Sequence, residues 1–405
     1  MALIVQKYGG SSVATAERIL AVAKRIVATK EAGNSVVVVV SAMGKTTDEL
    51  INLAHQVAPE PDERELDLLM STGETVSATL MAIALRGMGH EAISLTAGQA
   101  GIHTNSLHGR ARIESVDTDR LWKELNAGKI VIVTGFQGIT DQFDITTLGR
   151  GGSDTTAVAL AVALKADRCD IYTDVEGVYT ADPRIVPDAR KLDEISYEEM
   201  LEMAQLGSKV MHPRSVELGE AYGIPIMVRS SFNEETGTLI HEVGEMETRN
   251  RVRGIAHDLN VGKISVVGVP DRPGLAASIF EPLAQAGISV DVIVQNVSVE
   301  GATDISFTVG RTDLAKALRI VEPVAQEIGA KQVTSSDNLG KVSVVGAGIQ
   351  SAPGIASAMF RALYEAGINI EMITTSEIRI TCIIDREKVQ DAVRILHGTF
   401  ELDRI

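Results

Sequence analysis

Up to about residue 240, short unbroken apolar runs take turns with stretches where apolar side chains return every three or four positions. Residues 2–6 are such a run, and 35–41 hold five consecutive valines. Runs this short and continuous predict strands covered on both faces. Between them Ile19, Leu20, Ala23, Ile26 and Val27 fall at helical spacing, which predicts a helix from about Thr15. The same reading predicts helices at 47–57, 65–86 and 196–206, and strands at 130–134, 168–172 and 225–229. Residues 139–147 alternate loosely around Asp141 and predict a hairpin. Strands taking turns with helices predict a mostly parallel sheet with helices on both faces.

The rhythm breaks at 242–253, a polar and charged stretch that reads as a linker. Beyond it the chain repeats itself. Ile264-Ser-Val-Val-Gly268 returns as Val342-Ser-Val-Val-Gly346, Pro273-Gly274 as Pro353-Gly354, and Ala286-Gly-Ile-Ser-Val-Asp291 as Ala366-Gly-Ile-Asn-Ile-Glu371. The offset is 78 residues at the first block and 80 at the other two. Each copy reads strand, Pro-Gly loop, helix, strand, strand, helix, strand, which is a ferredoxin-like βαββαβ module. The predicted organisation is an α/β unit over 1–245 followed by two small modules over 246–335 and 336–405.

Composition narrows the function. The 405 residues are 45% hydrophobic, enough for large cores, and the net charge is −16. An acidic chain without a Lys/Arg cluster argues against a nucleic-acid partner. Cys169 and Cys382 lie far apart in apolar runs and read as reduced core residues, so a cytoplasmic location is expected. No Cys/His cluster has metal-ligand spacing. The N-terminus reads as a strand rather than a leader, and no apolar run approaches membrane-spanning length.

Two glycine loops carry the candidate chemistry. Leu148-Gly-Arg-Gly-Gly-Ser-Asp-Thr-Thr156 leads into the apolar run 157–164. Glycines before a helix start let backbone N–H groups face an anion. Arg150 adds a planar fork for carboxylate or phosphate, and Asp154 sits in the first turn, where the helix dipole favours it. Read alone, the segment is equally an ordinary helix cap. The second loop, Lys7-Tyr8-Gly9-Gly10, follows the first strand, so Lys7 lies at its carboxyl end, the edge where open α/β sheets bind ligands.

Together these segments resemble one family. Lys7-Tyr-Gly-Gly-Ser, Ser41-Ala-Met-Gly, Ser71-Thr-Gly-Glu74, Gly135-Phe-Gln-Gly, Thr147-Leu-Gly-Arg-Gly-Gly-Ser-Asp154 and Tyr172-Thr-Asp174…Tyr179-Thr-Ala-Asp182-Pro-Arg184 resemble the motifs of aspartate kinases, in order. The repeated modules resemble two ACT domains, and the length implies a monofunctional enzyme. The resemblance implies an amino-acid-kinase fold, ATP and L-aspartate as substrates, and 4-phospho-L-aspartate as product. That is the first step towards lysine, threonine, methionine and diaminopimelate. Mg²⁺ is expected to arrive with ATP, without a dedicated protein cage.

The resemblance also distributes roles. Lys7 meets the β/γ-phosphates, and Tyr8, Gly9, Gly10 and Ser41 lie beside ATP. Thr173, Asp174, Tyr179, Asp182 and Arg184 cradle the nucleotide, with Lys209 as a second phosphate cation. Lys45, Thr47 and Glu74 bind aspartate, Glu74 through the ammonium group. Arg150 clamps a carboxylate, with Gly151, Gly152 and Ser153 around it, and Asp154 orients the substrate or the lysine. No strong general base is needed, because the attacking carboxylate is already ionised at neutral pH.

ACT-like modules imply amino-acid effectors, with threonine, lysine or both expected between them. Asp271, Ser289, Val290, Asp291, Gln295 and Asn296 are the effector-binding candidates of the first copy, and Asn369, Ile370 and Ser376 those of the second. The second copy has no acid at the equivalent of Asp271, so the two seams are expected to differ. The modules also fit a homo-oligomer, or a complex with a small regulatory subunit, and Met246 opens this half of the chain. A kinase acting on another amino acid such as glutamate, and a non-catalytic amino-acid sensor, are the competing functions.

Overall fold

The computed structural model describes residues 1–208, 210–243, 252–270, 272–297, 302–349, 352 and 354–404. They divide into two units. The N-terminal unit holds 1–179, 191–205 and 210–243. The C-terminal unit holds the remainder, including Thr180–Arg190 and Leu206–Ser208.

The N-terminal unit runs Leu3–Tyr8 (β1), Ala16–Glu31 (α1), Ser35–Val40 (β2), Thr46–Val57 (α2), Glu63–Gly87 (α3), Ala92–Leu95 (β3), Ile102–Thr104 (β4) and Ile113–Val116 (β5). It continues with Asp119–Asn126 (α4), Ile130–Thr134 (β6), Gln137–Ile139 (β7), Ile145–Thr147 (β8), Gly152–Leu164 (α5) and Arg168–Thr173 (β9). Glu194–Ser196 (β10), Tyr197–Gln205 (α6), Pro213–Tyr222 (α7), Ile226–Ser230 (β11) and Thr238–His241 (β12) complete it. The main sheet has the order β10-β12-β11-β9-β1-β2-β6-β3, and only the β11/β12 pair is antiparallel. All five valines of β2 are buried, as a strand covered on both faces requires. A small sheet, β5-β4-β7-β8, contains the predicted hairpin.

Every predicted element of this unit is present, and several unpredicted ones join them. β3, β4, β5, β10 and β12 have three or four residues each, too few to display a period. Helix α7 starts with Pro213 behind the N-cap His212, a start signal independent of periodicity. Helix α3 is 25 residues long and apolar enough by composition to cross a membrane, because four of its six charges crowd into residues 63–67. Half of its apolar window is buried in the protein, and it carries the buried acids Asp67 and Glu74. It is a core helix of this unit.

The C-terminal unit comprises Gly254–Pro270 (β13), Leu275–Gln285 (α8), Val290–Val297 (β14), Ala302–Val309 (β15), Leu314–Glu327 (α9), Gln332–Val345 (β16), Ile355–Glu365 (α10), Ile370–Thr375 (β17), Arg379–Asp385 (β18) and Val389–Thr399 (α11). Its antiparallel sheet has the order β14-β15-β13-β16-β18-β17. The repeat is present, but neither copy is a contiguous segment. Gly254–Asp258 pair with Lys341–Val345, so the fourth strand of the second module comes from ahead of the first. Residues 332–336 close the first module in the same way, against 263–267. The last described residues after α11 form no strand, which corrects the expected order of elements in the second copy. The cause lies in β13 and β16, each of which runs from one module into the other.

The pseudosymmetry extends to charge. Lys341 pairs with Asp291, and Lys263 lies 3.4 Å from Glu371. The lysines are 78 apart and the acids 80, the offsets of the sequence repeat. Ala181, Ile185 and Val186 enter the core of the second module with Val342, Cys382 and Leu396. The Thr180 carbonyl accepts from Ile255 N at 2.7 Å, and its hydroxyl lies 2.9 Å from His397 Nε2.

Candidate active site

Strands β1, β2, β6, β9 and β11 are parallel, so their carboxyl ends share one edge. Chain order steps outward from β1 to β2 and β6 on one side and from β9 to β11 on the other. The reversal at β1/β9 is the position where open α/β sheets form a ligand crevice. Lys7 stands there. Its Nζ lies 2.7 Å from Asp154 Oδ1, in the first turn of α5, and both side chains are largely buried. The sheet edge and the helix start thus bring together the two glycine loops through Lys7 and Asp154, 147 positions apart in sequence. Gly9 N donates to Tyr172 O, and Gly44 N donates to Gly10 O, tying the first loop to the turn after β2. Ser41 Oγ donates to Ser153 Oγ at 2.9 Å, tying that turn to α5.

Glu74 reaches this edge from α3. A mid-helix glycine costs about 1 kcal/mol relative to alanine. Gly73 has a packing reason, because a Cβ there would lie 2.8 Å from Ala42 Cβ. The close approach sets Glu74 against the end of β2, where Oε1 accepts from Ala42 N at 3.0 Å. Oε2 is buried and has no hydrogen-bond partner among the described residues. Burial pushes the Glu74 carboxyl up to about 7, against the opposing pull of the Ala42 amide. Thr47 is half-buried in the first turn of α2, and Lys45 is exposed just ahead of it.

Arg150 is exposed in the turn that enters α5. Gly151 follows it with φ +68°, and a Cβ there would strike the His212 ring at 2.3 Å, so glycine is required twice over. Gly152 N closes the turn on Gly149 O, and Ser153 is buried. Phe136, a non-glycine residue at φ +69°, sits beneath this turn and accepts from Leu148 N at 2.8 Å. Strained backbone of this kind concentrates at functional sites. His212 is held below its ordinary value by burial and by the charge of Arg214.

After β9, Thr173 Oγ1 donates to Asp174 Oδ1 at 3.1 Å and Tyr179 OH to Glu176 Oε2 at 2.9 Å. Burial and Glu176 push the Tyr179 hydroxyl up to about 12. Asp182 is gripped by Arg184 at 2.7 Å, which holds its carboxyl below the usual range. These two residues belong to the segment that packs with the C-terminal unit, whereas Thr173, Asp174 and Tyr179 belong to the N-terminal one. Tyr8 differs from a ligand-facing side chain: its ring is fully buried and stacks on Tyr172 with centroids 4.6 Å apart. Lys209 lies outside the described residues.

Of the effector candidates, Asp271 is also outside the described residues. Ser289, Asp291, Gln295 and Asn296 are exposed and Val290 is half-buried along β14, an edge strand. Asn369 and Ile370 occupy the matching place at β17, the opposite edge, and Ser376 N donates to Arg379 O beyond it. Asp291 is engaged by Lys341.

Sequence reasoning missed Asp67, His108 and Arg214 as residues of this region, and quoted Gln137 only within the Gly135-Phe-Gln-Gly motif, without a role. Gln137 donates from Nε2 to Ser71 O, and Arg214 donates to Leu148 O and Ala111 O. Asp67 had a legible signal. It lies seven residues before Glu74, hence on the same face of α3.

The fold and site define a small-molecule kinase unit joined to a tandem regulatory unit, and the matches to known families agree. The amino acid kinase family model matches residues 2–230, and the ACT domain model matches 264–323 and 342–400. The aspartokinase of Mycolicibacterium smegmatis is 52% identical over 99% of this chain and 97% of its own length. Escherichia coli aspartokinase III in complex with aspartate and ADP, in its R-state, is 28% identical with a TM-score of 0.83, covering 98% of this chain and 99% of that one. The same protein in complex with lysine and aspartate, in its T-state, is 28% identical with a TM-score of 0.76 over the same shares. The chain belongs to the aspartokinases, within the amino acid kinase family.

Proposed function

We propose that this enzyme transfers the γ-phosphoryl group of ATP to the side-chain carboxylate of L-aspartate. A carboxylate oxygen attacks Pγ, the new O–P bond forms, and the bond from Pγ to the β–γ bridging oxygen breaks. That oxygen keeps the electron pair and leaves as ADP. The nucleophile is already an anion, so no proton is removed. Catalysis is then positioning and charge neutralisation. Lys7 neutralises the β/γ oxygens, and Asp154, 2.7 Å away, holds its ammonium at the sheet edge. Mg²⁺ enters as part of the MgATP substrate. Thr173, Asp174, Tyr179 and Lys209 are proposed for the nucleotide, and a cytoplasmic location fits an ATP-consuming biosynthetic step.

The observation that carries the amino-acid class of the acceptor is the buried Oε2 of Glu74, unpartnered among the described residues. An orphaned buried carboxylate oxygen is costly unless a ligand donor completes it. An α-ammonium group is such a donor, and Arg150 supplies the matching fork for the α-carboxylate. Aspartokinase III, whose complex holds aspartate and ADP, supports this reading. The test is ADP release with L-aspartate, L-glutamate and succinate. Turnover with aspartate alone is expected, because succinate lacks the ammonium and glutamate is one methylene too long. Equal turnover with succinate would remove Glu74 from the ammonium site.

The pH dependence follows from the same carboxyl. With its value near 7 in the free enzyme, Glu74 is mostly neutral at pH 6 and a poor partner for ammonium. kcat/KM for aspartate is expected to climb through pH 7, by up to about tenfold per unit on the acid side. Glu74→Gln should flatten that limb and raise KM. The linkage to stability has the opposite sign. A raised folded-state value gives stability that is complete below the unfolded value and is lost as pH rises through 7. The Tm gain on adding aspartate should therefore be larger at pH 8 than at pH 6. Superimposable wild-type and Glu74→Gln pH profiles would contradict both statements.

The ACT tandem is proposed to bind threonine and lysine as feedback inhibitors and to assemble the homo-oligomer. The T-state complex of aspartokinase III with lysine supports the amino-acid class of effector. Asp271 is proposed to take the effector's ammonium, with Ser289 to Asp291, Gln295, Asn296, Asn369, Ile370 and Ser376 around the seams. Asp271→Ala should shift the inhibition curve to higher effector concentration by about 5–150-fold while the uninhibited rate persists. An unchanged curve would show that Asp271 does not contact the effector.

A further inference from the structure

Asp67 is fully buried on α3, and no lysine or arginine among the described residues pairs with it. A buried carboxylate is costly unless donors surround it. Here four donors do. Gly109 N lies 3.1 and 3.0 Å from its two oxygens, Thr147 N is 3.0 Å from Oδ2, and Thr147 Oγ1 donates to Oδ1 at 2.5 Å. His108 Nδ1 is 2.8 Å from Oδ2.

These donors come from two loops that meet at the site. Thr147 ends β8 and is followed by Leu148-Gly149-Arg150, while His108 and Gly109 precede Arg110 and Ala111. Ala111 N donates to Thr147 O at 2.8 Å, so the loops are stitched to each other. On the other side Arg214 of α7 donates to Leu148 O at 2.8 Å and to Ala111 O at 3.2 Å. The Arg150 side chain is exposed, and these bonds fix the backbone from which it springs. Asp67 ties that backbone to α3, the helix that also carries Glu74. Seven residues separate the two acids, which puts them on one face about 10 Å apart along the axis.

We propose that Asp67 is a positioning residue that fixes the distance between the two ends of the amino-acid site, Arg150 on its loop and Glu74 on α3. The proposal rests on the reading of Arg150 as the aspartate clamp. Its chemistry makes a further demand. Oδ2 faces the Gly109, Thr147 and His108 N–H groups, while Oδ1 faces the Thr147 hydroxyl, which can rotate, and shares the Gly109 N–H. An asparagine can satisfy this set, its carbonyl oxygen taking the N–H groups and its amide turning to the Thr147 hydroxyl. Alanine cannot.

The test measures KM for aspartate, KM for ATP and kcat in Asp67→Ala, Asp67→Asn, Arg150→Lys and the Asp67→Ala/Arg150→Lys double variant. Asp67→Ala should raise KM for aspartate about tenfold while KM for ATP moves less than about twofold, and Asp67→Asn should restore most of the loss. Because Asp67 acts through Arg150, the double variant should be within about twofold of Arg150→Lys alone. Multiplying effects in the double variant, or equal rises in both KM values, would overturn the proposal. If Arg150→Lys alone leaves KM for aspartate unchanged, it is the clamp reading that fails. Should Asp67→Ala not fold, Thr147→Val removes one donor without changing shape. It should raise KM for aspartate in the same selective way, by about threefold, and no change would count against Asp67.

Discussion

Lys7→Ala is expected to lower kcat by about 10²–10³-fold, the usual cost of removing one preorganised donor from a site of developing charge. Lys7 lies at the β1/β9 switch point with its ammonium 2.7 Å from Asp154, so its position is fixed before substrate arrives. A fixed cation needs no reorganisation as negative charge moves to the bridging oxygen, which is why the loss falls on kcat. The fold should tolerate the change. Asp154 loses its cation but remains in the first turn of α5, where the helix dipole favours a carboxylate. Paired measurements of kcat and Tm separate the effects. A variant with unchanged Tm and near wild-type kcat would remove Lys7 from the transition state.

Arg150→Lys is the second large effect, and it should appear in KM for aspartate. Lysine keeps the charge and loses the bidentate fork. Losing one hydrogen bond between charged partners costs about 1.5–3 kcal/mol, equivalent to a rise of about 10–100-fold. Arg150 is exposed and lies on a turn built from left-handed glycines, so no packing is lost with it. KM for ATP should stay within about threefold. A rise confined to ATP would assign the turn to the nucleotide.

Much of this was legible in the chain because each element announced itself locally. The valines of β2, the glycines beside Lys7 and Arg150, and the repeated Pro-Gly blocks state strand, loop and module without long-range information. Local signals failed where a residue's partner lies far away. The Asp67 carboxylate looks like one charge among several at the start of α3, and only folding brings Gly109 and Thr147 to it, 42 and 80 residues on. The exchange of strands between the ACT modules was hidden for the same reason. β13 and β16 read as ordinary strands until their two halves are paired with different partners. The segment 180–190 carries the motif that resembles a nucleotide loop, yet its apolar residues complete a core with strands more than 150 positions later. Tyr8 shows the converse. Its place in a motif suggested a ligand contact, while a stacked ring between two central strands fills the interior.

The most direct test of phosphoryl transfer to the aspartate side chain is to trap the product. Incubating the wild-type enzyme with MgATP, hydroxylamine and either L-aspartate or L-glutamate converts any acyl phosphate to a hydroxamate, which is counted against ADP. The expected result is aspartyl β-hydroxamate equal in amount to ADP, with neither product formed from glutamate. ADP without hydroxamate, or hydroxamate from glutamate in place of aspartate, would contradict it.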